Sequence, residues 1–178
     1  MIYLQNILQE GHKAVKSVAC VFSASLLLAA SAQLSIPFYP VPFTLQTITV
    51  LFLAYILGAR LAAMSVVLYL LEGACGLPVF AGFSGGARIL LGSPTCGYLW
   101  GFIGSAYCAG ILYKKFPSRK FVHLVCIGLV SELPTFVCGY ICLAYLTGWY
   151  NAWMLGVAPF IASTLLKNFL LAAFIRKS

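Results

Sequence analysis

Aspartate is absent from the 178-residue chain, and only three acidic residues and two histidines occur in it. That poverty excludes most hydrolytic chemistry. No acidic pair and no Ser/His/acid set can be assembled, because His12 and His123 both sit beside clusters of basic residues. Charged residues make up 8% of the sequence, against about 25% in an ordinary soluble domain. Too little polar surface remains to cover a globule in water, so the solvent of this chain is mostly lipid. A phosphate-binding loop is missing as well, since no glycine-rich stretch ends in GK[ST]. The net charge of +8 is not accompanied by the aromatic–basic interleaving of nucleic-acid binders, so no nucleic-acid partner is expected. Seven cysteines are present (Cys20, Cys75, Cys96, Cys108, Cys126, Cys138, Cys142). None is paired at CxxC spacing and most lie in apolar runs, where cysteine packs as a small hydrophobe. Neither a metal site nor a cofactor is expected, and the chain does not read as an enzyme.

What the sequence does have is hydrophobicity: 62% of residues are apolar and the mean hydropathy is +1.01. Charges, prolines and glycines divide it into an all-α bundle of six membrane-spanning helices in a single domain, 1–178. Helix boundaries fall at about Val15–Ile36, Phe43–Leu57, Arg60–Gly73, Thr95–Tyr113, Phe121–Leu146 and Leu155–Ile175. Gly58 marks a stop between the second and third helices, and Pro134 a kink in the fifth. The apolar run after Lys13 and Lys16 is too long for a cleaved leader and reads as a retained helix. Helices two and three are short for a full crossing, which predicts tilt or partial shielding from lipid.

The basic residues test this division. Lys13, Lys16, Arg60, Lys114, Lys115, Arg119, Lys120, Arg176 and Lys177 all fall on one side of a six-span chain. Positive charge favours the cytoplasm, so both termini are expected there and the protein in the cytoplasmic membrane. The PFYPVPF loop, the Gly/Pro-rich segment Ala74–Pro94 and the GWYNAW loop are then external.

Two cations remain once these topology signals are removed. Lys167 lies inside the last predicted helix, where a cation costs roughly 2.5–3.5 kcal/mol on insertion scales. Either it snorkels, or it pairs with Glu132 or Glu72, or it holds an anionic ligand. Arg88 is either a solvated loop residue or a bidentate carboxylate clamp. Glu132 is a counterion, a helix–helix contact or a proton carrier. The GLPVFAGFSGG stretch, Gly76–Gly86, is either a folded-in wall or lid of a pocket, or a flexible loop. Backbone of that kind at membrane depth must be buried in protein or line a cavity.

Three stretches carry a family resemblance. They are AQLSIPFYPVPFTLQT (Ala32–Thr47), GLPVFAGFSGG followed by LLGSPTCGYLWGF (Leu90–Phe102), and APFIASTLLKNFLLAAF (Ala158–Phe174). In order and spacing the chain resembles BioY, the biotin-binding S component of energy-coupling factor transporters. The family patterns are PVP-[IF]-TLQT, GLPVFAGGSGG…LLGPTGGYLxGF and PFLPGDLLKAxLA. The resemblance implies biotin as ligand. It also implies a transmembrane coupling subunit and an ATPase pair as partners, with docking through small residues on helix one, here Ser25 and Ala29, although such pairs also serve internal packing. Lys167, with Arg88, would meet the carboxylate. Gln46, Thr164 and Asn168 would supply hydrogen bonds, and Phe43, Phe80, Phe83 and Tyr98 the apolar walls. Two departures stand out. Thr164 replaces an aspartate common in the family, and Ser93 and Cys96 interrupt the second motif. A self-sufficient carrier of biotin or a related acid is the alternative.

Overall fold

The computed structural model describes residues 2–117 and 120–177, with side chains from Ala14 onward. Its main helices are α1 (Ile2–Gln33), α2 (Gln46–Ala74), α4 (Cys96–Lys115), α5 (Phe121–Thr147) and α7 (Ala158–Lys177). Two short helices, α3 (Ala87–Gly92) and α6 (Trp149–Gly156), lie in the connections. Among the described residues four stretches are long and apolar enough to cross a membrane: Ala14–Gln33, Gln46–Ala74, Phe121–Thr147 and Trp149–Lys177. Their outer faces are apolar, as with exposed Leu133, Val137 and Ile141, one turn apart on α5. Such a surface suits hydrocarbon and not water.

The helix α2 is two antiparallel arms. Gly58 has φ 77° and ψ 173°, outside the helical region and in a part of the map that glycine tolerates. The Gln46 Nε2 donates to the Tyr69 hydroxyl at 2.8 Å. In a straight helix those 23 residues would span about 34 Å, so the chain folds back at Gly58, as its glycine stop implies. Gly110 of α4 meets this turn, where an added Cβ would collide with the Ala59 backbone.

α4 packs mainly against α2 and α5. Gly97, Gly101 and Gly104 bring its backbone against Cys138, Thr135 and Pro134 of α5, the small-residue contact by which helices associate without a hydrophobic drive. α5 continues helically on both sides of Pro134.

Several boundaries differ from the sequence expectation. α1 ends at Gln33, and Ser35–Ile36 pairs antiparallel with Phe43–Thr44. Phe43 is thus in a strand, and the helix begins only at Gln46, after the hairpin has used the Pro37–Pro42 loop. The last helix starts at Ala158, because Gly148 and the backbone at Val157 set α6 apart. The Gly/Pro-rich segment contains the short α3. Ser25 serves internal packing, one of the two uses expected of it. It is fully buried and donates to Glu72 Oε1 at 2.9 Å, while Ala29 packs against the core. Ala29 is half-buried, and the Glu72 carboxyl on α2 holds the Ser25 hydroxyl.

Candidate ligand-binding site

A cavity of about 300 Å³ opens among the 41–47 strand and loop, the Gly76–Gly86 loop, α4, α5 and α7. That volume falls at the lower end of small-molecule sites. Three local structures position its lining.

The first is α7. Residues three and four apart share a helix face, so Thr164, Lys167 and Asn168 form one polar strip. Thr164 and Lys167 line the cavity. Lys167 Nζ donates to the Thr44 carbonyl at 2.6 Å and to the Thr47 hydroxyl at 3.2 Å. Among the described residues it makes no ion pair with Glu132 or Glu72. Glu72 is bonded by Ser25, and Glu132 Oε1 takes Asn168 Nδ2 at 3.1 Å. The ammonium is therefore held by neutral oxygens at the wall of a cavity. Asn168 is 2% exposed and lies behind that wall, bonded to Glu132 and to the Thr164 carbonyl.

The second is the glycine-rich loop. Phe80 and Ser84 pair across a tight turn, and Gly86 N–H closes onto the Gly73 carbonyl at 2.7 Å. Gln33 fastens this turn to α1. Its Nε2 donates to the Phe80 carbonyl at 3.1 Å and its Oε1 accepts the Phe83 N–H at 2.9 Å. Tyr69 donates to the Val79 carbonyl at 3.3 Å. The loop is thus a folded-in wall, as one of the two sequence readings has it. Phe80, Ala81 and Ser84 line the cavity. Phe80 is seated on Gly73, whose missing side chain leaves room for the ring.

The third is an aromatic stack. Phe160 faces Phe43 at 4.3 Å between ring centroids and Tyr98 at 6.4 Å. Tyr98 donates to the Gly156 carbonyl at 2.8 Å, fixing α4 to the junction of α6 and α7. Rings placed this way gain from offset and stacked contact as well as from burial.

Of the residues expected at a site, Gln46, Phe80, Tyr98, Thr164 and Lys167 line the cavity. Phe43 supports it through Phe160, and Asn168 through its bond to the Thr164 carbonyl. Arg88 and Phe83 do not line it and are exposed. Arg88 sits on α3 with its side chain outward, and only the backbone of Phe83 is used. Missing from the expectation are Thr44, Thr47, Thr135, Phe136 and Phe160. The flanking motifs contained Thr44, Thr47 and Phe160, but the helical reading of Phe43–Leu57 hid that Thr44 and Thr47 face inward, and Phe160 was passed over in the last helix.

A family model described as the BioY family matches residues 5–178. The chain belongs to the BioY family. The biotin transporter BioY of Thermotoga maritima is 40% identical over 152 residues, 84% of this chain and 86% of that protein. The probable biotin transporter BioY of Pyrococcus horikoshii is 37% identical, over 85% of this chain and 89% of that one. A 2.1 Å crystal structure of the S-component for biotin from an ECF-type ABC transporter matches the fold with a TM-score of 0.77. It covers 93% of this BioY-family chain and 92% of the other, at 24% identity.

Proposed function

We propose that the chain binds biotin in this cavity and serves as the substrate-binding subunit of an ECF-type importer in the cytoplasmic membrane. The observation that carries the reading is Lys167. In a BioY-family chain, a half-buried ammonium stands at the wall of an apolar, aromatic cavity, held by Thr44 and Thr47 and by no acidic side chain among the described residues. Biotin is a monoanion with an apolar tail and a ureido ring. The ammonium suits its carboxylate, the stack around Phe160 its ring, and Thr164 and Gln46 its donors and acceptors. The partners are a transmembrane coupling subunit and two ATPases, in keeping with relatives named biotin transporter and with the fold match to an ECF S-component.

The topology belongs to the same proposal. Six spans are α1, the two arms of α2, α4, α5 and α7, with both termini cytoplasmic. The nine basic residues on one side support it.

Calorimetric titration of the purified protein tests the ligand. Biotin should bind far more tightly than thiamin or riboflavin, and equal or better binding of either would refute biotin. Single cysteines at 118 and 151, in a background freed of reactive cysteines, should label from opposite sides of the membrane. Position 118 lies outside the described residues. Labelling of both from outside would refute the topology. Biotin uptake by the chain alone in liposomes would favour the self-sufficient carrier over the multi-subunit importer.

A further inference from the structure

Glu132 is the buried ionisable group for which the site so far has no use. It is 2% exposed, yet its Oε2 has no hydrogen-bond partner. A buried carboxylate oxygen left unbonded is costly and calls for a donor. Glu132 shares a face of α5 with Thr135 and Phe136, three and four residues on, and both line the cavity. Asn168 stands in the same relation to Thr164 on α7. Glu132 and Asn168 therefore form the layer one turn beneath the cavity. The Oε1 of that carboxylate is occupied by Asn168, whose second amide hydrogen goes to the Thr164 carbonyl. Gly128 makes the arrangement possible, because any side chain there would collide with the Asn168 amide oxygen. Asn168 thereby ties the carboxylate to Thr164, the residue whose hydroxyl interacts with the carboxyl group and which itself lines the cavity. The Lys167 ammonium points away from this carboxylate, to Thr44 and Thr47, and stays open to the cavity.

A threonine hydroxyl carries one proton and two lone pairs, and its rotor turns to suit its neighbours. We infer that Glu132 is a positioning residue: it takes the Thr164 hydroxyl proton, so that Thr164 turns lone pairs to the cavity and selects an N–H donor on the ligand. The inference rests on the biotin reading and deepens it. A ureido ring has two such donors, and an isosteric ring with oxygen in place of N–H would offer Thr164 a second acceptor and be rejected. Sites that hydrogen-bond a ligand donor discriminate strongly against analogues lacking it, because the site's own polar group is left unpaired.

The test uses calorimetry of the full chain with biotin and with its two cyclic carbamate analogues, each replacing one ring N–H by oxygen. Wild type should bind at least one carbamate about tenfold or more weakly than biotin. In Glu132→Gln, Asn168 still requires the side-chain carbonyl, so the new NH2 faces Thr164. Thr164 then accepts that hydrogen and turns its own proton to the cavity. Biotin affinity should fall about tenfold, and the preference over that carbamate should vanish or invert. Thr164→Val, nearly isosteric, should weaken biotin similarly and bind both ligands alike; it keeps the test open if Glu132→Gln fails to fold. Retention of the wild-type preference in Glu132→Gln, or in Thr164→Val, would overturn the inference. Failure of folded wild type to bind biotin would instead overturn the functional reading on which it rests.

Discussion

The cavity has two walls made in different ways. Between α4 and α5 the backbones meet at Gly97 and Gly101, and Gly104 meets the Pro134 ring. Gly97, Gly101 and Gly104 leave no space for a single added carbon before Cys138, Thr135 and Pro134. Opposite, the 34–45 hairpin and the Gly76–Gly86 loop are tied to the helices by a few side-chain hydrogen bonds. Gln33 reaches Phe80 and Phe83, Tyr69 reaches Val79, and Lys167 reaches Thr44. The first wall is set by packing, which has two states, fitted or displaced. The second is set by individual bonds, each modest in net worth. Damage to the first should appear as lost stability, and damage to the second as altered ligand binding in a folded protein.

The largest effect should come from the packed wall. Gly101→Ala places a methyl group against the Thr135 backbone, and overpacking of this kind costs about 1–3 kcal/mol. Thermal unfolding in detergent should show a midpoint lowered by several degrees. An unchanged midpoint would mean that α4 and α5 have slack between them. A smaller effect is expected from the bonded wall. Gln33→Ala removes the donor to Phe80 and the acceptor for Phe83, at about 0.5–1.5 kcal/mol for each bond. Hydrogen exchange at the Phe83 amide should quicken and biotin should leave several times faster, with the unfolding midpoint little changed. Matching losses of stability in the two variants would erase the distinction between the walls. The smallest effect should belong to Arg88→Ala and Phe83→Ala, both exposed side chains outside the cavity. Each should change biotin affinity by less than about 0.5 kcal/mol, the usual range for surface substitutions. A tenfold loss in Arg88→Ala would show that α3 swings over the bound ligand, and would make the bonded wall a moving one.

The two walls also differ in how much of them the sequence disclosed. The Gly58 reversal was legible because a glycine interrupts two apolar runs. The polar strip at Thr164, Lys167 and Asn168 was legible because helical spacing puts these residues on one face whatever surrounds them. The glycine-rich loop could be read as a cavity wall from the rule against bare backbone in lipid. The partner that holds Ser25 inward was not legible. α1 is apolar on both its protein and lipid sides, so periodicity gives no contrast between them, and the deciding partner, Glu72, lies 47 residues away. The outward setting of Arg88 was not legible for a related reason: α3 is a single short element whose facing is set by tertiary contacts. The strand at Phe43–Thr44 is equally non-local, since its pairing with Ser35–Ile36 has no signature in two residues.

The central claim is that Lys167 neutralises the ligand carboxylate. A double-mutant cycle tests it, with Lys167→Ala as one change and biotin amide in place of biotin as the other. Calorimetry should show Lys167→Ala weakening biotin by at least about 1.5–3 kcal/mol, the range for a charge-assisted hydrogen bond. The same substitution should cost much less for the uncharged amide. Equal losses for the two ligands, with coupling no larger than about 0.5 kcal/mol, would contradict the account and leave the ammonium as a structural tie to Thr44 and Thr47.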